Sequence, residues 1–276
     1  MTKVRHEPSQ LIYQCALDFG ILGHLANDEG PGFANRIEDV TMIKRSSRDL
    51  LRPAWSVDPQ VVRFDSRVDD SLLSDLVNEI ESTMKAGETY KRCRARWVSR
   101  IDLPSGPVVV KLFTERSARH ALKQRFQRSR ARRAAEKAFR YTEYGFNTPQ
   151  PLAILQEQRG PFRGNSCIIY EYIDGANIAA GSWRMLSGVA ELQGKSGLEY
   201  IYGQIRETRD RLIQAGLAHC DCHAGNFMFD RQGRLYLLDL DSIKPARVRR
   251  RNGPRMHYLF DLLERGITTR ANADAA

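Results

Sequence analysis

The chain is predicted to fold as an α+β protein of two lobes, the first rich in strands and the second mainly helical. Three observations predict this. The segment Asp70 to Met84 sets Leu72, Leu73, Leu76, Val77, Ile80 and Met84 on one side of a helix. Two apolar runs, Arg96 to Leu103 and Val108 to Phe113, are split by Pro104-Ser105-Gly106-Pro107, the pattern of a β-hairpin. A helical stretch from Leu198 to Gln214 stops at Gly216, and two short strands follow it, Phe227 to Phe229 and Leu235 to Leu238.

Taken in order, residues 1–57 show no sustained period and include the turn-rich Asn27-Asp28-Glu29-Gly30-Pro31-Gly32. They read as an N-terminal extension, either partly disordered or packed on the domain. Residues 58–276 read as one two-lobed domain, with an N-lobe over 58–171 and a C-lobe over 172–276, joined near Tyr172. Asp69 or Asp70 caps the first helix. The basic segment Ser117 to Tyr144 contains neither Gly nor Pro, so it reads as one long helix ending at Gly145, with Pro149 and Pro151 beyond. Leu152 to Leu155 and Ser166 to Glu171 are short strands. The turn Asp230-Arg231-Gln232-Gly233 joins the two late strands. Met256 to Arg265 is the last helix, with Leu259, Leu262 and Leu263 inward.

The bulk numbers exclude several classes. No apolar run of about 18 residues is present, so no membrane span is expected. Met1 to Gln10 is polar and lacks the apolar stretch of a secretory signal. Five cysteines, an odd count without framework spacing, argue against a disulfide scaffold and for a reducing cytoplasm. The formal charge of +10 clusters. Between Arg116 and Arg140 lie Arg119, Lys123, Arg125, Arg128, Arg130, Arg132, Arg133 and Lys137, with Glu136 the sole acid. Such a block favours an anionic partner over a merely solvated helix face: a phosphorylated glycolipid, a membrane surface or a nucleic acid.

The chemistry centres on His219-Cys220-Asp221-Cys222-His223-Ala224-Gly225-Asn226. Asp239 follows Asn226 at the end of the returning strand, and a tight hairpin sets the two side by side. An amide oxygen and a carboxylate are hard donors suited to Mg²⁺, which completes its shell with water and substrate phosphates. Asp221 then sits nearby to receive a proton from an attacking hydroxyl. Asp241 competes with Asp239 as the ligand, and spacing favours Asp239. The His219, Cys220, Cys222 and His223 cluster invites a zinc reading, but Cys93 and Cys167 are isolated and supply no second pair. Upstream, Lys111 is one cation in the apolar strand Val108-Val109-Val110-Lys111-Leu112-Phe113 and needs an anionic partner, for which Glu136 is the obvious choice.

The set Lys111, Glu136, His219-x-Asp221-x-x-x-x-Asn226 and Asp239 resembles the protein-kinase-like superfamily. Arg125-Phe-Gln-Arg-Ser-Arg-Ala-Arg-Arg133, Gly145-Phe-Asn-Thr-Pro-Gln-Pro-Leu152 and Leu238-Asp-Leu-Asp-Ser242 are similar to one branch, the bacterial lipopolysaccharide kinases that phosphorylate Kdo or heptose in the lipid A core. The likeness spans roughly residues 85–265, the size of one catalytic domain. It implies a bilobal protein-kinase-like fold and the cofactors ATP and Mg. It implies Asp221 as the base, Asn226 and Asp239 as metal ligands, and Lys111 on the α and β phosphates, positioned by Glu136. Glu171 and Tyr172 lie at the hinge, where backbone groups bind adenine, and His219 is scaffold for the loop.

The chain departs from the pattern in three places. No Gly-x-Gly-x-x-Gly precedes Lys111, and the phosphate-covering loop is expected near Gly87 to Arg94, with Lys91, Arg92 and Arg94 supplying charge. Cys220 stands where regulated protein kinases carry arginine. Leu240-Asp241-Ser242 follows Asp239, and no Ala-Pro-Glu comes after, which weighs against a protein substrate. The expected activity is therefore ATP-dependent phosphorylation of a sugar hydroxyl on a lipopolysaccharide-core or related glycoconjugate. The expected setting is cytoplasmic, with peripheral contact at the inner face of the membrane through the basic helix. A kinase of proteins or small molecules on the same fold is the alternative within the class. A non-catalytic nucleic-acid-binding module is the alternative outside it, and intact Lys111, Asp221, Asn226 and Asp239 argue against that one.

Overall fold

Asp69 opens the first ordered helix: its side chain accepts from Leu72 N at 2.8 Å, as an N-cap should. In this computed structural model the described residues are 39–42, 55, 59–93, 95–114, 128–159, 162–180, 185–186, 196–245, 260–261, 264–265 and 267–268. They divide into two units, residues 1–139 with 150–172, and residues 140–149 with 173–276. The architecture is α+β, as expected from the sequence. The division falls at Tyr172, and the segment 140–149 is counted with the second unit.

The first unit is built on a seven-stranded antiparallel sheet, β1 (Asp39–Met42), β2 (Gln60–Arg63), β3 (Glu88–Cys93), β4 (Arg96–Leu103), β5 (Gly106–Phe113), β6 (Pro151–Arg159) and β7 (Phe162–Glu171), in the order β1-β2-β6-β7-β5-β4-β3. Helices cover both faces, so the central strands read as nearly continuous apolar runs. Strand parity sorts them. Val61, Val108, Val110, Leu112, Cys167 and Ile169 pack with Leu72, Leu73, Leu76, Val77, Ile80 and Met84 of α1 (Asp70–Asn78) and α2 (Ile80–Ala86). Val62, Phe113, Ile154 and Ile168 face the other way, onto Ala131, Ala134, Ala135 and Phe139 of α3 (Arg130–Glu143).

Two expectations are corrected here. The helix predicted over Asp70 to Met84 breaks into two at Glu79, which lies at φ −138° and ψ 45°. The Leu76 carbonyl, which an unbroken helix would give to residue 80, accepts the indole N–H of Trp55 at 2.8 Å instead. Trp55 is 1% exposed and sits in the core beside α1. Of residues 1–57, the described ones pack on the first unit: Trp55 fills this core and β1 pairs in the sheet with β2.

The long basic helix does not run unbroken from Ser117. Residues 128 and 129 are not helical, and 115–127 lie outside the described residues. Ser129 stops it, acting as N-cap for α3: its Oγ accepts from Arg132 N at 3.1 Å. The same hydroxyl donates to Gln156 Oε1 at 2.7 Å, and Gln156 Nε2 donates to Gln60 Oε1 at 2.8 Å, so the buried amides are paired in a line. At its far end α3 closes at Gly145 as predicted. Gly145 N donates to Thr142 O and Phe146 N to Tyr141 O, both at 2.9 Å, with Gly145 at φ 76°, a left-handed Schellman close.

In the second unit α4 (Gly197–Gln214) carries a capping box: Glu199 N donates to Ser196 Oγ and Ser196 N to Glu199 Oε2. Beyond it come β9 (Leu217–His219), the loop 220–223, a 3-10 turn Ala224–Asn226, the hairpin β10 (Phe227–Asp230) and β11 (Leu235–Leu237), and β12 (Ile243–Pro245). A further strand, β8 (Gly175–Asn177), pairs with β10, and β12 pairs with β9. The last predicted helix, Met256 to Arg265, is described only at residues 260–261 and 264–265, all helical. No helix among the described residues is long and apolar enough to cross a membrane.

Candidate active site

The loop after β9 is clamped by strands on both sides. β9 pairs with β12 so that His219 stands opposite Ile243, and Cys220 N donates to Ser242 O at 2.9 Å. At the other end Phe227 pairs with Leu237, and Leu238 N donates to Asn226 O at 2.9 Å. The hairpin therefore brings Asn226 to the residue next to Asp239, as its spacing in sequence suggested.

His219 is the floor of the loop. It is 1% exposed and its ring stacks on Phe227, centroids 5.6 Å apart and planes 24° apart. Burial pushes its pKa down to about 4, so the ring is neutral at ordinary pH. Its Nδ1 accepts from Asp221 N at 3.3 Å, which aims the backbone of the loop. Ser242 Oγ lies 3.4 Å from the same Nδ1 and donates to Asp239 O at 3.0 Å. Ser242 thereby holds the Asp239 carbonyl while lying beside the His219 ring, a contact that sequence reading missed. The signal was a serine three residues after Asp239, where a hydroxyl reaches back to a turn carbonyl.

Asp239 sits at φ 49° and ψ 57°, and it is the one non-glycine residue at positive φ among those described. Aspartate tolerates that region better than most residues. Asn226 is 6% exposed, and its Nδ2 donates to Asp221 O at 2.9 Å. That bond fixes the amide orientation and leaves the carbonyl oxygen Oδ1 as the group able to ligate a cation. The donor set of an amide oxygen beside a carboxylate fits a hard ion such as Mg²⁺. Asp221 itself presents an exposed carboxylate, with His223 Nε2 3.7 Å from Oδ2.

In the first unit Lys111 lies mid-sheet on β5, opposite Val98 and Ile168. It shares the sheet face that α3 covers, and its Nζ is 5.3 Å from the Phe113 ring centre. Glu136 lies on α3, but its carboxylate is engaged by arginines: Arg128 Nη1 at 3.0 Å and Arg132 Nε at 2.8 Å. The Glu136 carboxylate is thus held in a two-arginine clasp. The reason is helical spacing: Arg132 stands one turn from Glu136, and Arg128 precedes the helix on the same side.

Glu171 ends β7 and forms a two-bond clip with Gln150. Its N donates to Gln150 O, and its Oε1 accepts from Gln150 N, each at 3.0 Å. Tyr172 follows, its ring 4.6 Å from the Arg100 guanidinium. The segment Gly87 to Arg94, expected as a phosphate-covering loop, is strand β3 over Glu88–Cys93. Arg92 lies across Trp97 of β4 at 4.0 Å, and residue 94 is outside the described set.

No curated protein matches the chain. Among solved structures, "WaaP in complex with acyl carrier protein" is similar at 17% identity and a TM-score of 0.40, covering 61% of this chain and 67% of that one. The family described as "Lipopolysaccharide kinase (Kdo/WaaP) family" matches over residues 99–273, a range that holds Lys111, Glu136, Asp221, Asn226 and Asp239. With well over half of its length matched, this chain belongs to the lipopolysaccharide kinase (Kdo/WaaP) family.

Proposed function

We propose that the chain is an ATP-dependent kinase that phosphorylates a sugar hydroxyl on a lipopolysaccharide-core or related glycoconjugate. Membership of a kinase family supplies the reaction class. The observation that supports the site is the Asn226 tether: one side-chain bond holds the Asp221 backbone, and the hairpin pairs Asn226 with Leu238, next to Asp239.

In this reading Asp221 accepts a hydrogen bond from the acceptor hydroxyl and takes its proton as the oxygen attacks the γ-phosphorus, the bond to the β–γ bridging oxygen breaks and ADP leaves. Asn226 and Asp239 hold Mg²⁺. When bound, that ion neutralises charge on the phosphate oxygens. Lys111 contacts the α and β phosphates. Glu136 serves its positioning role through α3, whose arginines it organises. Glu171 and Tyr172 flank the adenine, with the Gln150 clip holding that strand end in place. Catalysis is mainly orientation and electrostatic stabilisation. The protein acts in the cytoplasm, docking on the inner leaflet through its basic residues.

The test is phosphoryl transfer from labelled ATP with Mg²⁺ to lipid A carrying Kdo and heptose. Transfer is expected with the native chain, and Asp221→Ala is expected to lower it by about 10³-fold or more. Full transfer in Asp221→Ala would remove that residue from the mechanism. Transfer to proteins or small alcohols but never to the glycolipid would place the chain among kinases of another substrate class.

A further inference from the structure

His223 is held at one ring nitrogen and faces the Asp221 carboxylate with the other. Nδ1 accepts from Gly225 N at 3.1 Å, and Nε2 stands 3.7 Å from Asp221 Oδ2. An imidazole nitrogen that accepts an amide N–H carries a lone pair there, so the proton of the neutral ring is on Nε2, pointing at the carboxylate. Gly225 makes the arrangement possible. A Cβ at that position would lie 3.2 Å from both Cε1 and Nδ1 of the ring, tighter than ordinary contact. The backbone of His223 serves the same loop, since its carbonyl accepts from Asn226 N at 2.9 Å.

Asp221 needs such a partner. Its carboxylate lies at the open edge of the loop, with 64% of the side chain exposed. The backbone of Asp221 is fixed at both ends, by His219 at N and Asn226 at O, but neither bond reaches the carboxylate. An exposed carboxylate rotates freely about its side-chain bonds, and a base must stand within hydrogen-bond reach of the proton it takes.

We infer that His223 is a positioning residue for the phosphoryl transfer: its Nε2–H holds one oxygen of Asp221 and leaves the other oxygen for the acceptor hydroxyl. The inference rests on the reading of Asp221 as the base. The separation of 3.7 Å closes to a hydrogen bond by a small rotation of either side chain, in keeping with the looser geometry of catalytic pairs before substrate binds.

Two substitutions separate this role from simple loop capping. Asn at position 223 keeps an oxygen near the place of Nδ1, able to accept from Gly225 N, but does not reach Asp221. Gln reaches as far as Nε2 and offers a donor there. Steady-state kinetics with ATP and lipid A carrying Kdo and heptose should show kcat lowered roughly 10- to 100-fold in His223→Ala and His223→Asn, with KM for ATP within about twofold. His223→Gln should recover most of the loss. Circular dichroism and ATP affinity report whether each variant is folded, and the Asn and Gln pair decides the matter even if the Ala variant is not. Native kcat in His223→Ala beside an inactive Asp221→Ala would overturn the inference alone. Recovery by Asn equal to that by Gln would also overturn it, assigning His223 to capping. An active Asp221→Ala would overturn the reading of Asp221 first.

Discussion

The side-chain amide of Asn226 donates to the backbone carbonyl of Asp221 at 2.9 Å, so the residue proposed to hold the metal also sets the loop that carries the base. Two functions in one side chain can be separated by substitution. Asn226→Asp keeps an oxygen for the cation and loses the amide donor. Asn226→Ala loses both. The Asp variant is expected to keep Mg²⁺ dependence near native while kcat falls by about 100-fold. The Ala variant is expected to lower kcat and also to raise the Mg²⁺ concentration needed for half-maximal rate. Titrating Mg²⁺ at saturating ATP distinguishes them.

His219 makes stability fall in mild acid. Its folded pKa of about 4 lies below the ordinary histidine value of 6.5, so between those values the unfolded chain binds more protons than the folded one. The contribution is complete above pH 6.5 and is lost as pH drops toward 4. At pH 5 the loss amounts to about 2 kcal/mol. His219→Asn keeps an acceptor near Nδ1 and cannot titrate. Urea unfolding at pH 7.5 and pH 5 should show the native chain losing about that much more stability than the variant.

Trp55 should behave as a core residue although it precedes the first regular helix. Trp55→Ala is expected to cost about 3–5 kcal/mol by emptying a buried site. Trp55→Phe keeps the ring volume in part but leaves the Leu76 carbonyl at the helix break without its indole donor, at a cost of about 1–3 kcal/mol. A chain begun at residue 58 should lose the cooperative unfolding of the sheet unit. Denaturant melts followed by circular dichroism check all three.

Ser129 joins a helix start to the sheet, so its loss is felt twice. Ser129→Ala removes the N-cap of α3, worth about 1 kcal/mol, and the donor to Gln156 Oε1. A combined loss of about 2 kcal/mol is expected. Ser129→Asp restores a cap but sets a carboxylate against Gln156 Oε1, and should recover only part. Thermal melts of the two variants give the comparison.

Much of this was legible in the sequence because local rules and tertiary structure agree. The Pro104 to Pro107 turn, the Gly145 close and the hairpin from Phe227 to Leu237 are all read from neighbours within a few residues. The spacing from Asn226 to Asp239 could be converted to proximity because a tight hairpin has one register. What escaped depends on partners far along the chain. The break at Glu79 is met by Trp55, 21 residues upstream of Leu76, and no helical period contains that information. Residues Glu88 to Cys93 read as a loop because every one is exposed, and an edge strand leaves no alternation to see. The sequence shows the charge of Glu136 but not that Arg128 and Arg132 both reach its carboxylate.

That clasp changes the valence of the basic segment. Two arginines and one glutamate amount to a single positive charge, and the Arg130 guanidinium lies over the Phe113 ring at 4.5 Å. A count of arginines along the helix therefore overstates the charge offered to an anionic surface. Adsorption to phosphatidylglycerol vesicles should weaken with salt less steeply than that count implies, since each cation held within the fold is one fewer available for exchange with mobile ions.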